Sequence, residues 1–147
     1  MNLKDQYPKL WIYLSENQKD LITEGQFLIK EISKIQAYQF KDYSFLIFPF
    51  AKAYEGFLKQ LFKDIKFISH LDYISDHLRL GKLMSPALVG NLKDRSLYKK
   101  IMEKAGKDLS QRIWLTWKSA RNQIFHYFPH NLKAVSYNEA IRIVNEI

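Results

Sequence analysis

Apolar residues along this chain recur at intervals of three and four, the period of helices lying on a core. Ser15 followed by Gln18 is a capping-box pattern, and Leu21, Ile22, Leu28 and Ile32 then repeat at helical spacing. A second long helix is predicted to begin near Asp42 or Tyr43 and to run to about Ile65. Tyr54, Leu58, Leu61, Phe62 and Ile65 form its apolar stripe. Pro49 has no N–H to donate, so it either occupies the first turn of that helix or kinks it. Between Phe67 and Asn91 the pattern weakens: Ile68, Leu71, Ile74 and Leu78 predict a short helix, and Gly81, Ser85-Pro86 and Gly90 predict loop. Ser96 to Lys104 reads as a further short helix ended by Ala105-Gly106. Asp108 with Gln111 repeats the cap pattern and opens LSQRIWLTWKSARNQIFHYF, a helix that Pro129 terminates. Ser136 with Glu139 is a third capping box and opens a last helix through Ile147. No repeat, low-complexity run or linker interrupts this order. The expectation is a single domain over residues 1–147, an all-α bundle of about five to six helices.

Composition agrees with that expectation. The chain has 147 residues, of which 47% are apolar, enough for one continuous core, and ten Phe and nine Tyr make that core bulky. Five Gly and four Pro leave little material for the many turns of an all-β fold. No apolar run approaches the ~18 residues of a membrane span; the densest, Phe45 to Ala53, is short and contains Pro49. The absence of Cys excludes disulfides and thiolate metal sites. The N-terminal stretch carries Asp5 and has no apolar core of a signal peptide, so a cytoplasmic protein is expected. Twenty-three Lys and Arg against fifteen Asp and Glu give a formal charge of +8. Such an excess favours polyanionic partners, RNA or DNA first, or an acidic protein, although a Lys-rich surface also serves solubility alone.

The most informative stretch is Arg121-Asn122-Gln123-Ile124-Phe125-His126. It sets a permanent cation, an amide and a titratable imidazole near the end of a helix that Trp114, Trp117, Ala120, Ile124 and Phe125 are expected to bury. Asn122 and His126, four apart, share a helical face, with Lys118 one turn earlier. Arg121 is about 140° from His126 around an ideal helix. Its side chain must curl round, the last turn must loosen before Pro129, or the partnering Arg must come from a second subunit. RNA cleavage without metal needs a base for the 2′-hydroxyl, an acid for the leaving 5′-oxygen and fixed positive charge beside the phosphate. Histidine suits proton transfer near neutral pH, and arginine presents a planar fork that never loses its charge. The bland alternative is a helix C-terminus that attracts basic residues, with His126 capping the dipole.

Glu55 falls beside Ala51, Leu58 and Phe62, within or at the edge of an apolar stripe, where a carboxylate is costly unless paired. Arg121 is one candidate partner; Lys59 at i+4 on a solvated face is the other. The neighbouring Gly56 permits close approach of another helix or subunit. His70 and His77 lack a metal-ligand pattern, and Asp72, Asp76 and His77 read as a solvated helix face. His130 reads as an exposed turn residue. No Gly-rich phosphate loop is present, which argues against a nucleotide hydrolase.

Arg121-Asn122-x-x-x-His126 on the penultimate helix resembles the R-x4–6-H signature of the HEPN superfamily of ribonucleases, in which a polar residue usually follows the Arg. FPFAKAYEGFLKQLF, Phe48 to Phe62, is similar to the corresponding helix in the HEPN domain of RNase LS-type toxins. The resemblance spans roughly Tyr43 to the C-terminus. It implies a metal-independent endoribonuclease without cofactor, with Arg121, His126, Asn122 and Glu55 at the catalytic centre and Lys118 and Tyr127 contacting RNA. It also implies a homodimer with both motifs lining one cleft, and the toxin of a toxin–antitoxin pair with an antitoxin protein as possible partner. Many HEPN toxins partnered with nucleotidyltransferases carry a Tyr two residues after the His; here Phe128 stands there and Tyr127 one residue early. The alternative within the same resemblance is a non-catalytic HEPN-like module that dimerises and binds nucleic acid or protein. A third is a structural helical domain whose charge has no specific meaning.

Overall fold

A computed structural model describes residues 3–126 and 129–147, so Tyr127, expected at the RNA, and Phe128 lie outside the described residues. The chain opens with two short helices, α1 (Leu3–Gln6) and α2 (Pro8–Tyr13), the second with proline at its first position, where no N–H is needed. The Ser15 side chain accepts from the Gln18 N–H and the Gln18 side chain from the Ser15 N–H. This capping box starts α3 (Glu16–Ile32). Next come α4 (Ser44–Asp64), α5 (His70–Ile74), α6 (Leu80–Leu83), α7 (Val89–Leu92), α8 (Leu97–Ala105), α9 (Lys107–Trp117) and α10 (Tyr137–Glu146). The described residues contain no strand. The all-α expectation holds, but the ten helices among the described residues exceed the five or six predicted. Five helices, α1, α2, α5, α6 and α7, have six residues or fewer, too short to carry a periodic signal. No helix among the described residues is long and apolar enough to cross a membrane.

Contacts divide the chain into two compact units, Met1–Phe57 with Ala120–Ile147, and Leu58–Ser119. The first unit is built on Leu46, Ile47, Phe50, Ala51 and Ala53 of α4, together with Ile22, Ala120, Val135, Ala140, Ile143 and Val144. Gly25 lets α3 lie on α4: a Cβ there would sit 2.5 Å from the Phe50 ring and 3.0 Å from the Pro49 ring. The buried face of α3 is therefore Gln18, Ile22 and Gly25, and Leu28, expected in the stripe, is exposed. Gly56 meets the Gln18 side chain of α3, with which an added Cβ would be at 3.2 Å. Pro49 is the sixth residue of α4, one turn beyond the position that tolerates it most easily. The carbonyl it cannot serve belongs to Phe45, a residue of the first turn that is 38% exposed.

In the Leu58–Ser119 unit, Leu58, Phe62, Leu80, Met84, Leu97 and Trp117 are buried. Gly81 lies in α6, not in a loop, because its missing side chain admits the Trp117 indole; a Cβ would meet Nε1 at 2.6 Å. Gly90 likewise lies within α7. Gly106, at φ 93°, ends α8 and directly precedes α9. Asp108 thus sits inside the first turn of α9 and is not its cap, because one left-handed glycine completes the reversal.

Asp42 anchors the segment that returns from the end of the chain. It accepts from the Ser44 N–H (2.9 Å) and hydroxyl, from the Asn131 side chain (3.2 Å) and from the Val135 N–H (3.3 Å). Partial burial alone would raise its pKa, but these hydrogen bonds outweigh it and hold the carboxyl below its ordinary value. Asp42→Ala is expected to cost about 1–3 kcal/mol at neutral pH. A carboxyl lowered in the folded state stabilises above its unfolded pKa, ~3.9, and that contribution fades as pH falls through the folded value. Urea unfolding of both proteins should therefore show a difference at pH 7 that shrinks below about pH 4. A gap unchanged with pH would assign the effect to packing.

Candidate functional site

The helix expected to run unbroken to Pro129 does not. After Trp117 the chain widens into a π turn, Lys118–Asn122, and then leaves the helix. Ala120, in that turn, is buried in the core of the first unit, whereas Arg121 is exposed. The Phe125 N–H donates to the Arg121 carbonyl (3.2 Å), closing one further turn. His126 therefore lies beyond the helix, and the face expected to hold Lys118, Asn122 and His126 together does not exist. Of the three ways left open for Arg121 to reach His126, a loosened last turn is present. A π turn carries an extra residue per hydrogen-bonded loop, so the angular separation of Arg121 and His126 on an ideal helix no longer applies.

Arg121, Asn122, Phe125 and His126 face Phe48, Ala51, Lys52 and Glu55 of α4 across an open cavity of about 330 Å³. Positions 48, 51, 52 and 55 follow the i, i+3, i+4, i+7 rule and share one helical face. The Arg121 guanidinium Nη2 is 2.9 Å from Glu55 Oε2, with the carboxylate side chain 21% exposed and the arginine 44%. Of the two partners left open by the sequence, Arg121 is one that Glu55 meets. At this exposure the pair contributes about 1 kcal/mol or less to stability, so its main effect is to fix where the guanidinium sits. Phe48 and Phe125 meet edge to face at 5.6 Å, and Lys52 Nζ lies 6.0 Å from the Phe48 ring. Phe125, expected in the core, is 40% exposed and forms cavity wall instead. With His126 neutral, Lys52 and Arg121 outweigh Glu55 by one charge, a balance suited to an anionic group.

Four of the expected site residues, Arg121, Asn122, His126 and Glu55, thus line one cavity. Lys118 is exposed at the start of the π turn and is not part of the wall. Lys52 was missed from the sequence, although its i−3 spacing from Glu55 pointed to it. Tyr54, the neighbour of Glu55, lines a separate apolar cavity, and burial pushes its phenol well above the ordinary range. Among the described residues no three His, Asp or Glu side chains gather in a way that would hold a metal ion. Of protein-family models, curated proteins and solved structures, none matches this chain.

Proposed function

We propose that the cavity between α4 and the π turn is the centre of a metal-independent endoribonuclease of the HEPN kind. The observation that supports this most is the convergence of Arg121, paired to Glu55, and His126 on one open wall. His126 takes the proton of the substrate's 2′-hydroxyl or returns one to the leaving 5′-oxygen, and Arg121 stabilises charge on the phosphorane-like transition state. Glu55 orients the guanidinium, Asn122 positions the phosphate or His126, and Lys52 and Lys118 draw RNA toward the site. One imidazole serves one proton transfer at a time. A two-fold homodimer would supply a second His126 and a second Arg121 to a shared groove. The biological setting in keeping with such an activity is a toxin held in check by an antitoxin protein. No cofactor is required by these steps.

The deciding experiment is incubation of purified wild type and His126→Ala with RNA in excess EDTA. Cleavage by the first and not the second supports the proposal; equal cleavage, or none by either, rejects it. Light scattering that finds only monomer in active protein would remove the shared groove. Glu55→Gln is expected to keep the fold and cut cleavage several-fold, while Lys59→Gln leaves it nearly unchanged. Equal small effects would reduce Glu55 to a surface partner. The competing view, a non-catalytic HEPN-like module that binds nucleic acid or protein, draws on the same ion pair, since Glu55 neutralises the charge that Arg121 would offer. It forecasts RNA binding without cleavage.

A further inference from the structure

The unit Leu58–Ser119 has a cavity of its own, about 540 Å³, that the proposed cleavage does not use. Lys63, Lys66, Arg95 and Lys100 line it, with Phe67 on its apolar part and Asp72 as its carboxylate. Asp64 Oδ1 lies 3.2 Å from Lys63 Nζ, so four cations stand against two carboxylates and leave two positive charges in excess. Asp72 is held within the wall: its carboxylate accepts from the Ser69 N–H (3.0 Å) and hydroxyl (2.7 Å). Those bonds first, then Arg95 and Lys100, hold it below the ordinary carboxylate range. Two of the cations are held by neighbouring groups. Lys100 Nζ donates to the Phe67 carbonyl (2.8 Å), and Lys63 Nζ lies over the Tyr73 ring at 4.8 Å.

Lys66 stands in a positive-φ turn at the end of α4. The Phe67 N–H donates to the Phe62 carbonyl (2.7 Å) and the Lys66 N–H to the Lys63 carbonyl (3.0 Å). These are the two bonds of a Schellman ending to α4, and they put Lys66 where glycine is normally found. Its φ is 61°, a conformation that L side chains adopt at a cost. A basic residue is favoured near a helix C-terminus, yet Lys63, in the last turn, already provides that charge without strain. What Lys66 adds over glycine is one more cation on the cavity.

We propose that this cavity binds phosphate groups, with Lys66 and Arg95 as the cations that make the contact and Lys63 and Lys100 as its charged walls. The group it takes is either a backbone phosphate of RNA or that of a small phosphorylated molecule. The proposal does not depend on the cleavage reaction. The test uses the full chain and two probes, inorganic pyrophosphate and a short 2′-O-methyl RNA, which has no free 2′-hydroxyl to react. Lys66→Gly and Arg95→Gln are each expected to weaken binding about fivefold or more. Lys34→Gln, the same charge loss on an exposed lysine paired with Glu31, should change it less than about twofold. Lys66→Gly should also raise the melting temperature, since glycine relieves the strain, whereas a residue kept for folding would lower it. Loss with pyrophosphate identifies a free phosphorylated ligand, and loss with the oligonucleotide alone identifies the RNA backbone. Binding of neither probe, or an equal loss in Lys34→Gln, overturns the proposal. So does unchanged affinity in Arg95→Gln, a variant that leaves the turn intact.

Discussion

His126→Ala is expected to slow RNA cleavage by about two orders of magnitude or more while leaving RNA affinity nearly unchanged. A neutral imidazole adds little to phosphate binding, and in the proposed reaction its value lies in moving a proton as the bond to phosphorus forms or breaks. A hundredfold loss corresponds to about 2.7 kcal/mol of transition-state stabilisation, within what one positioned acid or base supplies. Arg121→Ala should cost as much in rate and some affinity besides, because in the proposed reaction the guanidinium meets the phosphate in both ground and transition states. Arg121→Lys keeps the charge but not the planar fork, and is expected to recover affinity better than rate. Removing Arg121 also takes one cation away from Glu55, whose side chain is 21% exposed. The double variant Glu55→Gln, Arg121→Ala separates the two effects: lost stability is partly restored by neutralising the carboxylate, and lost catalysis is not. Single-turnover rates with melting temperatures for each variant would decide. A His126→Ala enzyme that cuts within threefold of wild type would remove His126 from the chemistry.

The parts of this molecule that a sequence discloses are those governed by local chemistry. Ser15 and Gln18 form the capping box their spacing predicts, Ser136 caps α10 by accepting from Glu139, and α4 begins and ends within two residues of its expected bounds. The partnership of Glu55 with Arg121 was also legible as one of two alternatives, because a carboxylate at the edge of an apolar stripe needs a cation. What was not legible depends on contacts remote in sequence. Gly81 and Gly90 read as breaks, yet both lie in helical turns, the former because Trp117 fills the space a side chain would take. The π turn at Lys118–Asn122 left no mark on the apolar pattern, since Trp117 and Ala120 are buried in either kind of helix. Yet that turn decides where Arg121, Asn122 and His126 stand. Periodicity reports which residues are buried, and a site made by a change of pitch is invisible to it. Asp42 was visible only as a boundary, because its partners Asn131 and Val135 are far along the chain.

The strongest expected effect concerns the substrate. An RNA with a single 2′-deoxy sugar at the cut site is expected to resist cleavage completely, because in the proposed reaction the nucleophile is the substrate's own 2′-hydroxyl. His126, or its counterpart in a second subunit, withdraws that proton as the oxygen attacks phosphorus. The bond to the 5′-oxygen breaks, and that oxygen leaves with a proton delivered to it. The products are then a 2′,3′-cyclic phosphate on one fragment and a 5′-hydroxyl on the other, with atoms and charge balanced and no water consumed. A hydrolytic enzyme that activates water would instead cut the deoxy substrate and leave a linear phosphate. The two mechanisms also differ in their need for a divalent ion: Arg121 and Lys52 supply the positive charge in the first, whereas a water-activating nuclease commonly draws on metal. Wild type should therefore cut an all-ribose strand equally well in EDTA and in magnesium, and mass spectrometry should find the cyclic terminus. Efficient cutting at the deoxy position, or activity lost in EDTA and restored by magnesium, would mean that Arg121 and His126 do not perform this reaction.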